Sequence, residues 1–356
     1  MGLRLGSAMF AAAILMATAS QAAEAWKPPR TADGRPDLNG VWTNASVTQL
    51  TRPPGVPKLV VSKPEADALV KANPFMKLIE AEEGASDLDD DLLADGNSDR
   101  GYNTFWIDPG RSLANVKGEW RTSWIVEPAS GQMPFTAEGR RLAQADRAAR
   151  RQKLWQDPEA LPLEERCMIG FSGAGGPGML NTIYNNNYQL VQTRDAVVIV
   201  VEMVHDARTI PLFEDAAKAR AAHGPIPRWL GDSVGWWEGD TLVIETTNVH
   251  PAQGRKGPIF LSPQGRVTER LTRTSAGQIT YEFTVDDPVY YSQPWRAEMS
   301  LNARKEQVYE YACHEGNYAM RGILAGARLQ EAQGITPTEG PGIFGTPVPA
   351  KKKGGD

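Results

Sequence analysis

The sequence predicts a mainly β fold, an antiparallel meander that closes into a lipocalin-like barrel or a strongly curved sheet. In the second half of the chain, pairs of alternating apolar and polar segments are joined by short turns, which is the signature of β-hairpins. The three clearest pairs are Tyr188–Gln192 with Ala196–Met203, Trp236–Trp237 with Thr241–Thr247, and Val267–Thr274 with Ile279–Val285. A meander of about eight to ten strands hides its edges by closing into a barrel. A two-sheet sandwich is the alternative.

The chain shows no alternation of strands and helices and no glycine-rich turn that opens a helix, so a dinucleotide-binding fold is disfavoured. The patterns instead predict one β-rich domain between two terminal segments. The predicted parts are a signal peptide over residues 1–25, a domain over 26–335 made of an irregular and helical wrap (26–160) and the barrel core (161–335), and a disordered tail over 336–356. The elements predicted in or beside the wrap are the helices Lys63–Glu83 and Thr136–Gln156 and the strand Arg121–Glu127.

The composition excludes some classes of partner. The chain has 356 residues, of which 41% are hydrophobic and 23% charged, which is typical of a globular protein. The net charge is −5 and acids and bases are interspersed, so no basic stripe is available to bind nucleic acid. A small molecule is therefore the expected partner, and the sequence gives no indication of the oligomeric state.

The first 25 residues indicate export. They carry one basic residue, Arg4, an apolar run over residues 8–17, and small residues suited to cleavage after Ala22 or Ala25. No later segment approaches the roughly 20 apolar residues that a membrane-spanning helix needs. We therefore expect a periplasmic or secreted protein without a membrane span.

The chain has two cysteines, Cys167 and Cys313. Exported proteins meet an oxidising environment, so the simplest interpretation is a disulfide between them. The alternative is a reactive thiol, but no motif that would stabilise a thiolate surrounds either residue.

The densest group of titratable residues follows the predicted strand that ends near Val201. It contains Glu202, His205, Asp206 and Arg208. Histidine titrates near working pH and a neighbouring carboxylate orients its ring, so we interpret His205 as the general acid or base, Asp206 and Glu202 as further catalytic residues, and Arg208 as a substrate-binding residue. Strict alternation puts His205 on the opposite face, so a bend is required. The alternative is a structural ion pair between Asp206 and Arg208.

A second candidate group lies at the end of the last predicted strand, which runs from Gln307 to Tyr318. His314 is assigned a catalytic role and Glu315 a substrate-binding role, since strand ends deliver side chains to clefts. The histidines lack the close spacing of metal ligands, so we predict no metal and no cofactor. The acidic run over residues 87–99 lacks the order of a calcium loop and is interpreted as solvated, although calcium binding there is left open.

Further substrate-binding candidates are neutral or aromatic. Tyr184, Asn185 and Asn187 belong to an amide tract flanked by tyrosines, which offers donors and acceptors for a neutral ligand, although a turn explains the asparagines equally well. Trp237 lies in a tryptophan cluster that suits a planar or sugar ligand or, alternatively, fills the core. The glycine-rich loop that begins at Ser172 is interpreted as flexible or as approaching a ligand.

Six motifs together resemble a large family of exported bacterial proteins. The motifs are DGRPDLNGVW (33–42), YNTFWID (102–108), YNNNYQ (184–189), EMVHDAR (202–208), WEGDTL (237–242) and YACHEGNY (311–318). The resemblance covers nearly all of the chain after residue 25 and implies a signal-bearing periplasmic protein with a β-barrel core. It carries no catalytic assignment. Members of the family tend to have a basic residue where this chain has Trp236, which implies a more aromatic or less charged ligand here.

Three functional hypotheses follow from these residues. The first is a periplasmic hydrolase or lyase that applies acid–base chemistry, without a cofactor, to a small neutral organic compound that is aromatic or sugar-derived. The second is a lipocalin-like carrier, and the third is a scaffold or accessory protein of the cell envelope. The first is preferred because the chain has more His, Asp, Glu and Arg residues at strand ends than a carrier requires.

Overall fold

The computed structural model describes residues 26–84, 107–152, 157–315 and 318–334. The predicted signal peptide, the acidic run over 87–99 and the predicted tail over 336–356 lie outside the described residues. The strands are β1 Gly40–Thr43, β2 Val60–Val61, β3 Ala114–Val116, β4 Glu119–Arg121, β5 Ile125–Glu127, β6 Asn187–Gln192, β7 Ala196–Val201, β8 Ala207–Phe213, β9 Asp232–Glu238, β10 Thr241–Thr247, β11 Arg266–Ser275, β12 Gln278–Asp286 and β13 Trp295–Arg304. The α-helices are α1 Lys63–Ala72, α2 Pro74–Gly84, α3 Ala137–Gln152, α4 Ala216–Ala221, α5 Pro251–Gly254 and α6 Tyr318–Ala332.

Nine strands form a closed barrel, which confirms the predicted fold class. The order around the barrel is β1, β6, β7, β8, β9, β10, β11, β12 and β13, and the ring closes where β13 pairs with β1, with Val41 opposite Arg304. The three predicted hairpins are the pairs β6–β7, β9–β10 and β11–β12. Closure leaves no long unpaired edge in this sheet, which is the physical advantage of a barrel.

One neighbouring pair departs from the antiparallel meander. Strands β8 and β9 run parallel, with Leu212 opposite Gly235 and Phe213 opposite Trp236. The connection between them contains α4, and a crossover of this length is what a parallel pair requires. The helix packs on the outer face of the sheet, where Ala219 lies in an apolar cluster with Val234, Trp236 and Val243.

Apart from β1 and β5, which pair in the large sheet, the N-terminal region forms a small three-stranded sheet and short helices. The predicted helix over 63–83 is two helices, because Asn73 and Pro74 interrupt it. Ser62 caps α1 in a capping box with Glu65, and the Asn73 side chain accepts a hydrogen bond from the backbone N–H of Phe75 at the start of α2. The predicted strand over 121–127 is also divided, into β4 of a small three-stranded sheet and β5, which pairs with β13.

The predicted strand over 307–318 is wrong. Strand β13 ends at Arg304, residues 307–312 have no strand structure, and a helix begins at Tyr318. The alternation of residues 307–312 predicts a strand only if a partner edge is available. Strand β13 already pairs with β12 on one side and with β1 and β5 on the other, so the sheet offers this segment no free edge. We refer to residues 305–315 as the strap.

Candidate functional site

The barrel interior contains a buried polar network. Five consecutive strands contribute to it, with Arg208 from β8, Ser233 from β9, Thr246 from β10, Glu269 from β11 and Tyr281 from β12. The Arg208 guanidinium forms a bidentate ion pair with the Glu269 carboxylate, with Nη1 2.9 Å from Oε1, and also donates to the hydroxyls of Ser233 (3.2 Å) and Thr246 (3.1 Å). The Tyr281 hydroxyl donates to Glu269.

Electrostatics keep both partners of this ion pair charged. Burial alone would raise the pKa of Glu269, but the charge and hydrogen bonds of Arg208 and the hydroxyl of Tyr281 outweigh it and lower that pKa. Burial alone would lower the pKa of Arg208. The charge and hydrogen bonds of Glu269 outweigh this effect, so the pKa of Arg208 is raised. The side chains are 2% and 0% exposed, so Arg208 is inaccessible to a substrate. This burial favours a structural role for Arg208 over the predicted substrate-binding role.

The glycine-rich loop fills the barrel above this network. Backbone N–H groups of Gly178 and Met179 donate to the Glu269 carboxylate (3.4 Å) and the Tyr281 hydroxyl (2.9 Å). A Cβ on Gly176 would lie 2.7 Å from Nη1 of Arg208, and the φ of Gly176 is +86°, in the left-handed region that favours glycine. Glycine is thus needed here for close approach to the ion pair, whereas the sequence suggested flexibility or approach to a ligand.

The bend that the sequence required after β7 is present. Residues Met203–His205 form a 3₁₀ turn in which Val204 and His205 have φ values of 60° and 53°. Such values are rare for a β-branched residue and cost free energy, so this turn stores backbone strain. It sends the two adjacent side chains to different partners: His205 contacts the strap, and Asp206 contacts Gly170.

His205 holds the strap in place. Its Nε2 atom accepts a hydrogen bond from the backbone N–H of Tyr311 (3.1 Å) and lies 3.1 Å from the carbonyl oxygen of Tyr309. The ring is exposed. Because Nε2 is engaged with backbone atoms, these contacts favour a positioning role for His205 over the predicted role of acid–base catalyst.

Asp206 has the environment of an acid–base group. Its Oδ2 accepts a hydrogen bond from the backbone N–H of Gly170 (2.8 Å). Burial raises the pKa of Asp206 to about 6, while the Gly170 hydrogen bond and the charge of Lys256 act in the opposite direction. A carboxyl group that titrates near neutral pH exchanges protons readily at working pH, as general acids and bases do.

Aromatic side chains complete a closed circuit of contacts around Asp206. Phe171, next to Gly170, packs edge-to-face on Tyr184, with ring centroids 5.8 Å apart. Tyr184 lies nearly parallel to Tyr311 of the strap, at 8° and 6.5 Å, and Tyr311 returns through its backbone to His205 and so to Asp206. We refer to Gly170, Phe171, Tyr184, His205, Asp206 and Tyr311 as the rim site, since β7 ends and β8 begins there.

A lysine and a small cleft adjoin the rim site. The ammonium group of Lys256 lies 2.6 Å from a carboxylate oxygen of Glu164 and donates to the carbonyl oxygen of Gly170 (3.3 Å). Lys256 also lines a cleft of about 30 Å³ whose other walls include Ile169, Pro177 and Ile259. A cleft of that volume is large enough for a water molecule.

Glu202 and the asparagines bind each other. The Glu202 carboxylate accepts hydrogen bonds from the side-chain amides of Asn185 (2.7 Å) and Asn187 (2.5 Å), and Arg304 donates to Asn187 (3.2 Å). Glu202 is 3% exposed. The sequence singled out all three residues for a site, and the structure does bring them together, but their contacts favour joining β6 to β7 over contacting a substrate.

The remaining predicted residues are placed apart from this circuit. His314 and Glu315 are exposed. The predicted disulfide is confirmed: Cys313 is bonded to Cys167, with Cα atoms 5.8 Å apart. Trp237 is half-buried against the main core with the Arg35 guanidinium 5.9 Å from its ring centroid.

The sequence analysis missed a histidine with carboxylate partners on the outer face of the barrel. Nδ1 of His223 lies 3.1 Å from Oδ2 of Asp232, and its Nε2 lies 3.7 Å from Glu245. Arg220 binds Glu245 and Arg228 lies 3.3 Å from Asp232. The partners are distant from one another in the chain, so no local motif marks them. The paired charges suit a structural role in which they attach α4 and the segment after it to strands β9 and β10.

Comparisons with protein-family models, with curated proteins and with solved structures find no match to this chain. Among the residues that the structure describes, no group of three or more His, Cys, Asp or Glu side chains is arranged to hold a metal ion. Within the same residues, no helix has the length and apolar character needed to cross a membrane.

The raised pKa of Asp206 predicts a pH-dependent stability. Its value of about 6 exceeds the ordinary 3.8, so the folded protein holds this proton more tightly than the unfolded chain. The contribution of this group to the free energy of unfolding is therefore full below pH 4, falls as the pH rises to 6, and is constant above. The loss is at most roughly 3 kcal/mol. Asp206→Asn should remove it, so the variant should gain stability relative to wild type between pH 4 and 8 in urea unfolding. If the difference in the free energy of unfolding between the variant and the wild type is the same at pH 4 and pH 8, the raised pKa of Asp206 is contradicted.

Proposed function

We propose that the protein is a periplasmic or secreted enzyme, a hydrolase or lyase, that applies acid–base chemistry to a small neutral organic compound at the rim site. The observation that carries the proposal is the half-buried Asp206 carboxyl, with a pKa near 6, fixed by Gly170 beside the Lys256–Glu164 pair. Export is supported by the pattern of residues 1–25 and by the disulfide.

In this proposal Asp206 carries the acid–base role that the sequence assigned to His205. The ionised carboxyl takes a proton from water in hydrolysis, or from a carbon atom in elimination, and then returns it to the leaving group. The ammonium group of Lys256 lies close enough to Asp206 for its charge to act on the pKa of that carboxyl group. The same positive charge would stabilise negative charge that develops on the substrate. No cofactor takes part in this chemistry.

The carrier and scaffold hypotheses receive less support. A lipocalin-like carrier requires room inside the barrel, and here the loop over residues 173–180 packs on the Arg208–Glu269 pair within it. A scaffold has no need of a carboxyl group held near neutral pKa. Nothing in the described residues favours either hypothesis over the enzyme.

The proposal is tested by turnover with three chromogenic probes: 4-nitrophenyl acetate, 4-nitrophenyl β-D-glucoside, and 4-(4-nitrophenoxy)butan-2-one, which releases 4-nitrophenolate by elimination. We expect Asp206→Asn to lower the rate on the accepted probe by about 10²- to 10⁴-fold. The matched control is Asp195→Asn, an exposed aspartate in the β6–β7 turn, which should retain the wild-type rate. Full activity in Asp206→Asn, or no turnover of any probe by the wild type, would reject the proposal.

A further inference from the structure

The rim site presents aromatic surface next to the carboxyl group of Asp206. Phe171, Tyr184 and Tyr311 are each half-buried, so part of each side chain remains accessible. The rings of Tyr184 and Tyr311 are nearly parallel, at 8°, while the ring of Phe171 stands at 76° to that of Tyr184. Two orientations of ring are thereby offered to a ligand, and aromatic pairs favour both the offset-stacked and the edge-to-face arrangement.

The strap fixes the position of Tyr311 before any ligand binds. Its backbone N–H is held by His205, and two residues later Cys313 is bonded to Cys167. A binding surface that is already ordered loses less conformational entropy on binding, so such anchoring strengthens the affinity. Tyr311 therefore behaves as a rigid wall although it lies in a segment without regular structure.

The polar side chains near the rim site are engaged with other protein groups. Asn185 and Asn187 donate to Glu202, and Asn186 donates to the carbonyl oxygens of Asp108 and Thr182 (3.1 and 3.0 Å). Recognition of a sugar requires several convergent donors and acceptors for its hydroxyl groups. The amide tract that would supply them is satisfied internally, which favours an aromatic ligand over a sugar.

We infer that the rim site binds the planar ring of a neutral aromatic compound against Tyr184 and Tyr311, with the reactive substituent directed towards Asp206. The proposed function left aromatic and sugar-derived substrates open, and this inference selects the first. It rests on the proposed function for the reaction at Asp206. Binding itself is independent of that reaction and is measured separately.

The experiment compares three neutral probes by ligand-observed NMR titration of the full chain: benzyl alcohol, cyclohexylmethanol and methyl β-D-glucopyranoside. The first two have similar size and the same hydroxymethyl group, and only the first is aromatic. We expect benzyl alcohol to bind more tightly than cyclohexylmethanol, by about 2- to 12-fold for each tyrosine ring that its own ring contacts. The glucoside should bind most weakly. Equal affinities for the two alcohols, or tighter binding of the glucoside, would overturn the inference.

Variants locate the binding site. Tyr311→Leu and Tyr184→Leu should abolish the preference for benzyl alcohol. The control is Tyr309→Leu, which lies on the same strap with a side chain that is 66% exposed and should keep the preference. Tyr311 lies on the strap, outside the barrel strands, so Tyr311→Leu remains informative if Tyr184→Leu fails to fold. An equal loss in Tyr309→Leu would overturn the assignment.

The inference and the proposed function fail in different ways. Asp206→Asn should keep the preference for benzyl alcohol over cyclohexylmethanol, because the two alcohols carry the same hydroxymethyl group, while losing turnover. Selective aromatic binding without turnover by the wild type would support the inference and count against the proposed function. Turnover that depends on Asp206, combined with no preference for the aromatic probe, would reject the inference and leave the acid–base proposal intact.

Discussion

Replacing Arg208 by methionine should destabilise the protein by about 3–5 kcal/mol, the cost of leaving a buried charge without its partner. The Glu269 carboxylate is fully buried and takes its hydrogen bonds from the guanidinium, from Tyr281 and from the Gly178 backbone. Methionine has a similar volume but supplies no charge. Equilibrium unfolding in urea at pH 7 measures the loss.

The double variant Arg208→Met/Glu269→Leu separates the penalty of an unpaired charge from loss of packing. Two apolar residues of comparable size leave neither charge uncompensated, so the double variant should be considerably more stable than Arg208→Met alone. If the double variant loses as much unfolding free energy as Arg208→Met and Glu269→Leu lose in sum, the two residues are not energetically coupled and the interpretation is wrong. Arg141→Met, at an exposed pair with Glu138, is the matched control and should leave the unfolding midpoint unchanged.

The parts of the fold that the sequence predicted are those specified by neighbouring residues. The hairpin β9–β10 follows from alternating residues around Glu238-Gly239-Asp240, where Gly239 has a φ of +58°. Turn chemistry and alternation act over a few residues, so they are readable without tertiary structure. Closure of the barrel could also be predicted, because an antiparallel meander with unpaired edge strands is prone to aggregate and closure removes those edges.

The parts of the fold that the sequence did not predict depend on residues that are distant in the chain. The alternation of residues 307–312 resembles that of a strand, yet its pairing depends on whether β13 has a free edge, and β1, more than 250 positions earlier, occupies it. The loop that contains Gly176 carries no local signal that it packs on Arg208 inside the barrel. Loops of this kind are specified by the cavity that they fill, which the sequence of the loop does not describe.

The structure brings together part of the region that the sequence singled out as a candidate site. Glu202, His205 and Asp206 do lie where β7 leaves the barrel, and the required bend is present at Val204. Their individual roles were not readable, because adjacent residues on a strained turn point to different partners: Asp206 to Gly170 and His205 to Tyr311. These partners lie 36 and 106 positions away in the chain, so the local sequence does not reveal them.

The disulfide should be the other large contributor to stability. The bridge from Cys167 to Cys313 closes a loop of 146 residues that contains eight of the nine barrel strands, β6 to β13. The chain-entropy account gives up to about 5 kcal/mol for so long a loop, and native disulfides typically contribute about 2–5 kcal/mol. Cys167→Ser/Cys313→Ser should therefore unfold at a lower urea concentration than the oxidised wild type. Dithiothreitol should lower the wild-type midpoint to that of the variant and leave the variant unchanged, whereas equal midpoints for oxidised and reduced wild type would show that the bridge secures only the strap.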